Sequence, residues 1–380
     1  MPQLMDLLAH GQSMWLDYID RKLLSTGKLQ ALIDDGLMGL TSNPSIFEKA
    51  IAEGTDYESD LARFARGSVD AKTLYEQLAS SDIQSAADAF RSVYAKSNGR
   101  DGFVSLEVSP ELARDTEGTV AEARRLWRKV DRENLMIKVP GTPEGLPAIE
   151  TLISEGINVN VTLLFSVSVY EKVAASFIAG LNRRAAAGGG VDRTASVASF
   201  FVSRVDSAVD NLLQARMASA SESEQSMLRG LLGKAAVANA KLAYARYREI
   251  FSGEAWTALA TKGAQPQRLL WASTGTKNRE YSDVMYIEEL IGRNTVNTAP
   301  PSTLAAFREH GRIRDSLVVD VHGAQQTIQA LASTGIALDE VTQRLLDDGQ
   351  RLFRADFHKL LTSLERAIEG TVSTADGHQT

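Results

Sequence analysis

The 380-residue chain is predicted to be an α/β protein, a (β/α)8 TIM barrel with helical insertions and extra C-terminal helices. Three observations predict it. Eight short apolar, strand-like runs recur along the sequence, and longer stretches of helical periodicity lie between them. No Gly-rich fingerprint follows any of these runs, which disfavours the open doubly wound sheet that the same alternation allows. Internal repeats and low-complexity domains are absent from the sequence.

The first run, SMWLDY (13–18), ends near Asp17, and a helical pattern near 20–34 follows it. The second, GLMGLTS (36–42), leads into Asn43 and Pro44, then into helical segments at 57–66 and 69–96 that form the first insertion. The third is GFVSLEV (102–108). After it, Asp115 and Thr116 stand ahead of an acidic first turn at Glu117 and read as the start of a helix over 116–130. LMIKV (135–139) is the fourth, with its helix over 144–156; INVNVTLLF (157–165) is the fifth, with a helix over 166–187 that three glycines at 188–190 close. ASVASFFV (195–202), LLWAST (269–274) and NTVNTA (294–299) complete the set, and a long helical stretch over 203–251 is the second insertion. Helices near 301–309, 321–332 and 338–368 exceed what a barrel needs and are expected to pack outside it. The polar tail EGTVSTADGHQT (369–380) is expected to be flexible, leaving 1–368 as one catalytic domain.

Composition narrows the class. A chain 44% hydrophobic and 23% charged has the balance of a soluble globular protein with a large core. Its net charge of −7 argues against nucleic acid as a partner. With no cysteine, a disulfide framework, a thiolate metal site and a cysteine nucleophile are excluded, which fits a cytoplasmic protein. The N-terminal stretch MPQLMDLLAHGQ lacks a basic segment followed by an apolar core, and no apolar run reaches bilayer-spanning length, so no membrane role is expected. Homo-oligomerisation is left open.

In a barrel of this class the chemistry gathers at the C-terminal ends of the strands. Polar groups fall there in nearly every run: Asp17, Asn43, Glu107, Lys138, Asn160 with Thr162, Ser199 with Arg204 just beyond, and Ser273. Phe201 shares the parity of Ser199. Asn160 and Thr162, two apart, point the same way, while Val159, Val161 and Leu163 point to the helix layer. Each has a plainer reading: Asp17 as a helix cap, Asn43 before Pro44 as a turn residue, Thr162 as strand filler, Arg204 and Ser273 as solvated loop groups. Lys138, between Ile137 and Val139, would on that reading snorkel from a wet strand face. Together they suggest a mouth that holds a small polyhydroxylated molecule. A free lysine is only about 0.1% neutral near pH 7.4. Desolvation or a nearby cation raises that fraction and makes Lys138 a candidate Schiff-base nucleophile, with Glu107 able to move protons through a water. The five histidines, His10, His310, His322, His358 and His378, show no ligand spacing, so no metal is expected.

GLTSNPSIF (39–47), VSLEV (104–108), LMIKVPGT (135–142), NVNVTLLFS (158–166), FFVSRVD (200–206) and LLWASTGTKN (269–278) together resemble transaldolase, the long bacterial type. The resemblance implies transfer of a dihydroxyacetone unit from sedoheptulose 7-phosphate or fructose 6-phosphate to glyceraldehyde 3-phosphate or erythrose 4-phosphate, without metal or organic cofactor. It places the Schiff base on Lys138, the proton-transferring water on Glu107 and Thr162, and removal of the C4 hydroxyl proton on Asp17. Asn43, Asn160 and Ser199 would bind substrate hydroxyls and the stabilised carbanion, and Arg204 the terminal phosphate. The chain departs from shorter members after Ser273, where Thr274-Gly275-Thr276-Lys277 stands in place of an arginine that immediately follows the serine. Lys277 is the candidate replacement, as a point charge without a bidentate fork. Two other readings stay open: an aldolase of the same superfamily that releases free dihydroxyacetone, and a barrel that binds sugar phosphates without turning them over.

Overall fold

The computed structural model describes residues 4–53, 56–65 and 69–376. Its eight strands are β1 (Gln12–Asp17), β2 (Gly39–Thr41), β3 (Phe103–Glu107), β4 (Leu135–Pro140), β5 (Val159–Leu164), β6 (Ser196–Phe201), β7 (Arg268–Ala272) and β8 (Thr295–Ala299). All pair in parallel in sequence order, and β8 closes on β1. Each coincides with one of the runs read from the sequence. The outward residues of these strands, Leu106, Ile137, Val139, Val159 and Val161 among them, are buried beneath the helices. Burying one such side chain contributes about 1.5–3 kcal/mol.

Helices begin and end where local chemistry dictates. Asp115 caps Thr116–Val130 by accepting from Gly118 N, and Val120, Ala123, Leu126 and Val130 form its buried stripe. The 20–34 pattern divides into Arg21–Ser25 and Lys28–Asp34, because Gly27 adopts a left-handed φ of 77° between them. Its cap is Asp20, whose carboxylate accepts from Leu23 N, so Asp17 is free for another role. The 69–96 segment is Ala71–Ala89 followed by Arg91–Lys96, and 203–251 divides into Ser203–Met217, Glu222–Arg229 and Ala235–Ile250. Ser221 caps the second of these three, and Gly233, at φ 69°, lies in the turn before the third.

The barrel interior is filled from below. Ser13, Trp15 and Asp17 alternate onto the inner face of β1 and mark three levels. At the N-terminal end, Asp101 accepts from Ser13 Oγ (2.8 Å), Trp15 Nε1 (3.2 Å) and Arg268 Nη2 (2.9 Å). Above this plug the Trp15 indole lies over Gly39, where a Cβ would sit 2.5 Å from the ring. The upper level, with Asp17, opens to a large cavity.

The C-terminal helix differs from expectation. Leu338–Asp376 does not pack apart from the barrel; it lies across the C-terminal mouth. Leu163 of β5 packs on it at Gly349, and the Phe357 ring meets Tyr75 of the first insertion edge-on at 5.6 Å. An apolar face long enough to reach both sides of the mouth is better buried there than against one flank. Its backbone stays helical to Asp376, well into the segment expected to be flexible; residues 377–380 lie outside the described residues.

The Asp101–Arg268 pair is nearly inaccessible, with each residue 6% exposed. Asp101→Ala strands a buried guanidinium and is expected to cost about 3–5 kcal/mol. Urea unfolding followed by circular dichroism measures it, and a loss below about 1 kcal/mol would mean that this plug does not brace the barrel floor.

Candidate active site

A cavity of about 410 Å³ opens at the C-terminal end of the barrel. Asp17, Asn43, Lys138, Thr162, Ser199, Phe201, Arg204, Ser273 and Lys277 all line it. Glu107 and Asn160, the other two candidates, stand behind this wall and act on it through their neighbours. Register explains the arrangement: Glu107, Lys138 and Asn160 are successive Cα partners across β3, β4 and β5, one row of a single inner face.

Lys138 is 5% exposed and Glu107 6%. Nζ stands 3.2 Å from Glu107 Oε2 and donates to the Ser42 carbonyl at 3.2 Å. Burial pushes the Glu107 carboxyl above its usual range, against the attraction of Lys138, and the charge of Asp17 adds to the rise. Thr162 Oγ1 is buried without a hydrogen-bond partner among the described residues, and Glu107 Oε2 is buried with the Lys138 ion pair in place of a hydrogen bond. Two such groups in one wall are suited to hold a shared water or a substrate hydroxyl.

Asp17 borders the cavity at the end of β1. Its Oδ1 accepts from Thr41 Oγ1 at 2.7 Å, and Thr41 Oγ1 lies 2.8 Å from Thr298 Oγ1. Burial raises this carboxyl too, opposed chiefly by Lys138 and then by the Thr41 hydrogen bond, Lys277 and Arg204. A carboxylate held up by burial and flanked by cations is poised to take a proton.

On the next strands the hydroxyls are oriented in relay. Ser199 Oγ donates to Asn160 Oδ1 at 2.6 Å, and Asn160 Nδ2 donates to Ser105 Oγ at 3.0 Å. Asn160 therefore sets the Ser199 hydroxyl rather than facing the cavity. Beyond Thr162 the alternation breaks: Leu163 takes a left-handed φ of 62°, and β5 bulges against β6 between Val161 and Leu164. Leu163, expected to point to the helix layer, packs instead against Gly349 of the C-terminal helix, because the bulge breaks the parity. Asn43 combines both readings: its Oδ1 accepts from Ile46 N at the helix entry while the residue lines the cavity.

At the far end stand Arg204 and Lys277. The Arg204 guanidinium lies 5.4 Å from the Phe201 ring centroid, and that ring packs on Phe165 at 5.2 Å. Burial pulls the Arg204 pKa down while Asp356 and then Asp17 raise it. Ser273, at φ 57°, brings its hydroxyl 3.1 Å from Ser203 Oγ, tying the β7 loop to the first turn of Ser203–Met217. A guanidinium at the start of a helix, with a lysine lining the same cavity, has the charge and the donors to hold an anion.

Sequence reasoning missed Thr41, Lys49, Thr298, Phe353 and Asp356, all in the cavity wall. Applying the strand-end rule to β8 finds Thr298, and applying it to β2 finds Thr41. No local signal marks Phe353 or Asp356, which arrive on the C-terminal helix. The described histidines stay away from the mouth: His10, His310 and His358 pair with Asp315, Asp283 and Glu111, and His322 with Gln326. His378 lies outside the described residues, among which no cluster of His, Cys, Asp or Glu could hold a metal. No helix among the described residues is long and apolar enough to cross a membrane.

Comparison with known proteins agrees with this geometry. Residues 14–364 match the model of a family described as transaldolase/fructose-6-phosphate aldolase. The chain is 50% identical over 360 residues to a transaldolase of Thiobacillus denitrificans, covering 94% of this chain and 98% of that protein. It is 46% identical over 363 residues to a transaldolase of Trichodesmium erythraeum, with 94% and 96% covered.

The Lys138–Glu107 pair makes stability depend on pH. In Lys138→Met, Glu107 loses the cation that opposes its burial, so its folded carboxyl rises further above the unfolded value near 4.3. Below that unfolded value the acid is neutral in both states and carries no charge penalty. As pH rises through the folded value, the folded state must either keep the proton or bury a lone charge, and stability falls. The unfolding free energy of Lys138→Met, measured with urea, is expected to drop between pH 5 and pH 8 relative to the unaltered chain, by at most about 3–5 kcal/mol. Parallel pH profiles for the two proteins would show that the pair is not electrostatically coupled.

Proposed function

The chain belongs to the transaldolase/fructose-6-phosphate aldolase family and catalyses the transaldolase reaction, and we propose that it does so through a Schiff base on Lys138. One observation carries this reading: a nearly buried primary amine opens onto a cavity of sugar-phosphate size, 3.2 Å from a buried carboxylate. The donor is sedoheptulose 7-phosphate or fructose 6-phosphate, and the acceptor glyceraldehyde 3-phosphate or erythrose 4-phosphate, a place in the non-oxidative pentose phosphate pathway. Residues 1–368 work as one catalytic domain, and a cytoplasmic site of action fits a chain without cysteine.

Neutral Nζ attacks the donor carbonyl at C2. The carbinolamine loses water, with Glu107 and Thr162 holding the water that carries the protons, and a protonated imine remains. Asp17 takes the C4 hydroxyl proton, the C3–C4 bond breaks, and its electron pair moves into the imine. The shortened aldose phosphate leaves, and the three-carbon unit stays on Lys138 as an enamine. C3 of the enamine then attacks the acceptor aldehyde, Asp17 returns its proton to the new hydroxyl, and water hydrolyses the imine. The iminium is the electron sink, so these steps require neither a metal nor an organic cofactor.

Asn43 and Ser199, the latter set by Asn160, bind the hydroxyls of the three-carbon unit. Arg204 with Ser273 takes the terminal phosphate, and Lys277 adds a point charge there. Phe201 offers a ring that can neither protonate the enamine nor orient water by a hydrogen bond, which favours transfer over release.

Single-turnover mixing with fructose 6-phosphate tests the division of labour. Asp17→Asn is expected to form the imine and stall before cleavage, whereas Glu107→Gln is slow in forming the imine itself, each by ~10²–10⁴-fold. The same block in both variants, or turnover surviving in Lys138→Ala, would overturn the assignment.

Arg204→Ala is expected to raise KM for phosphorylated donors about 10- to 150-fold, the worth of a charge-assisted contact, with a smaller rise for Lys277→Ala. Equal losses on an unphosphorylated ketose would remove both residues from the phosphate site.

A further inference from the structure

The helix that crosses the mouth brings one face to the cavity. Phe353 and Asp356, three residues apart and so one turn along the same stripe, both line it. Around them Phe357, Leu360 and Leu364 are buried, with Phe357 against Tyr75 and Lys359 paired to Glu48 at 2.9 Å, so this stretch is fixed on the first insertion. Phe353 is 7% exposed, and its ring centroid lies 5.6 Å from Lys138 Nζ. The ring reaches the reactive nitrogen from outside the barrel, on an element that the eight strands do not need.

We infer that Phe353 is a catalytic cover: its ring face receives the cationic nitrogen of Lys138 and shields the three-carbon enamine from water. This inference rests on the Schiff base proposed above. The iminium formed after loss of water places a positive charge at this atom in the step that precedes cleavage of the C3–C4 bond, and the ring face is positioned to attract it there. An aromatic face within about 6 Å of a cation attracts it, more strongly where water is excluded. The same ring occupies space from which water could act on the enamine. Protonation of the enamine at C3, followed by addition of water at C2, breaks the C2–N bond, frees the amine and releases dihydroxyacetone in place of transfer. Asp356, on the same face, lies close enough for its charge to act on Arg204, so the helix borders the cavity at both its Lys138 and Arg204 ends.

Two variants separate shielding from charge attraction. F353A removes the cover, and the ratio of free dihydroxyacetone to transfer product, from fructose 6-phosphate with erythrose 4-phosphate present, is expected to rise about tenfold. F353L keeps an apolar cover without the ring face; its ratio should stay near that of the unaltered chain while kcat falls roughly 2- to 30-fold. A residue that only stabilised the fold would lower the active fraction without moving the ratio. F353L, close in volume, keeps the test in force if F353A does not fold. An unchanged ratio in F353A, or an unchanged kcat in F353L, overturns the inference and leaves the Schiff base standing. Turnover in a Lys138→Ala control would overturn both.

Discussion

An ammonium and a carboxylate buried side by side in the wall of a barrel constrain everything around them. Neither Lys138 nor Glu107 has the solvent that would ordinarily carry its charge, so each must be served by fixed protein dipoles and by the other. The Ser42 carbonyl meets Nζ, Asp17 adds a second negative charge at the mouth, and the Phe353 ring faces the cation from above. In return the site has a primary amine beside an acid whose pKa burial raises, so that a proton is held within reach of Nζ.

The two ends of the barrel meet the same problem of buried polarity in opposite ways. At the floor, Asp101, Arg268, Ser13 and Trp15 satisfy one another and leave no vacant acceptor on the Asp101 carboxylate, which suits a structural plug. At the mouth, Thr162 Oγ1 is buried without a hydrogen-bond partner among the described residues, and Glu107 Oε2 is held only by its ion pair with Lys138. Unspent hydrogen-bonding capacity costs stability, and it persists where a reacting molecule can use it.

Most of the barrel was legible because period-two alternation identifies strands and strand ends identify the mouth. Every strand fell on its run, and nine of the eleven candidate residues line one cavity while Glu107 and Asn160 back it. Local breaks were harder. Gly27 divides a helix that periodicity alone joins, and the bulge at Leu163 interrupts an alternation that Asn160 and Thr162 obey. The largest departure was the C-terminal helix. Its amphipathic stripe says that one face is buried but not against what, because its partners, Tyr75 against Phe357 and Glu48 against Lys359, lie near the other end of the sequence. Phe353 and Asp356 consequently read as ordinary helix residues, although tertiary packing brings them to Lys138 and Arg204.

Chemical capture of the intermediate tests the central claim most directly. Borohydride added to the unaltered chain with fructose 6-phosphate, followed by peptide mass mapping, should place a reduced three-carbon adduct on the peptide containing Lys138, with loss of activity. An adduct on another lysine, or no adduct in an enzyme that still turns over, would contradict the account.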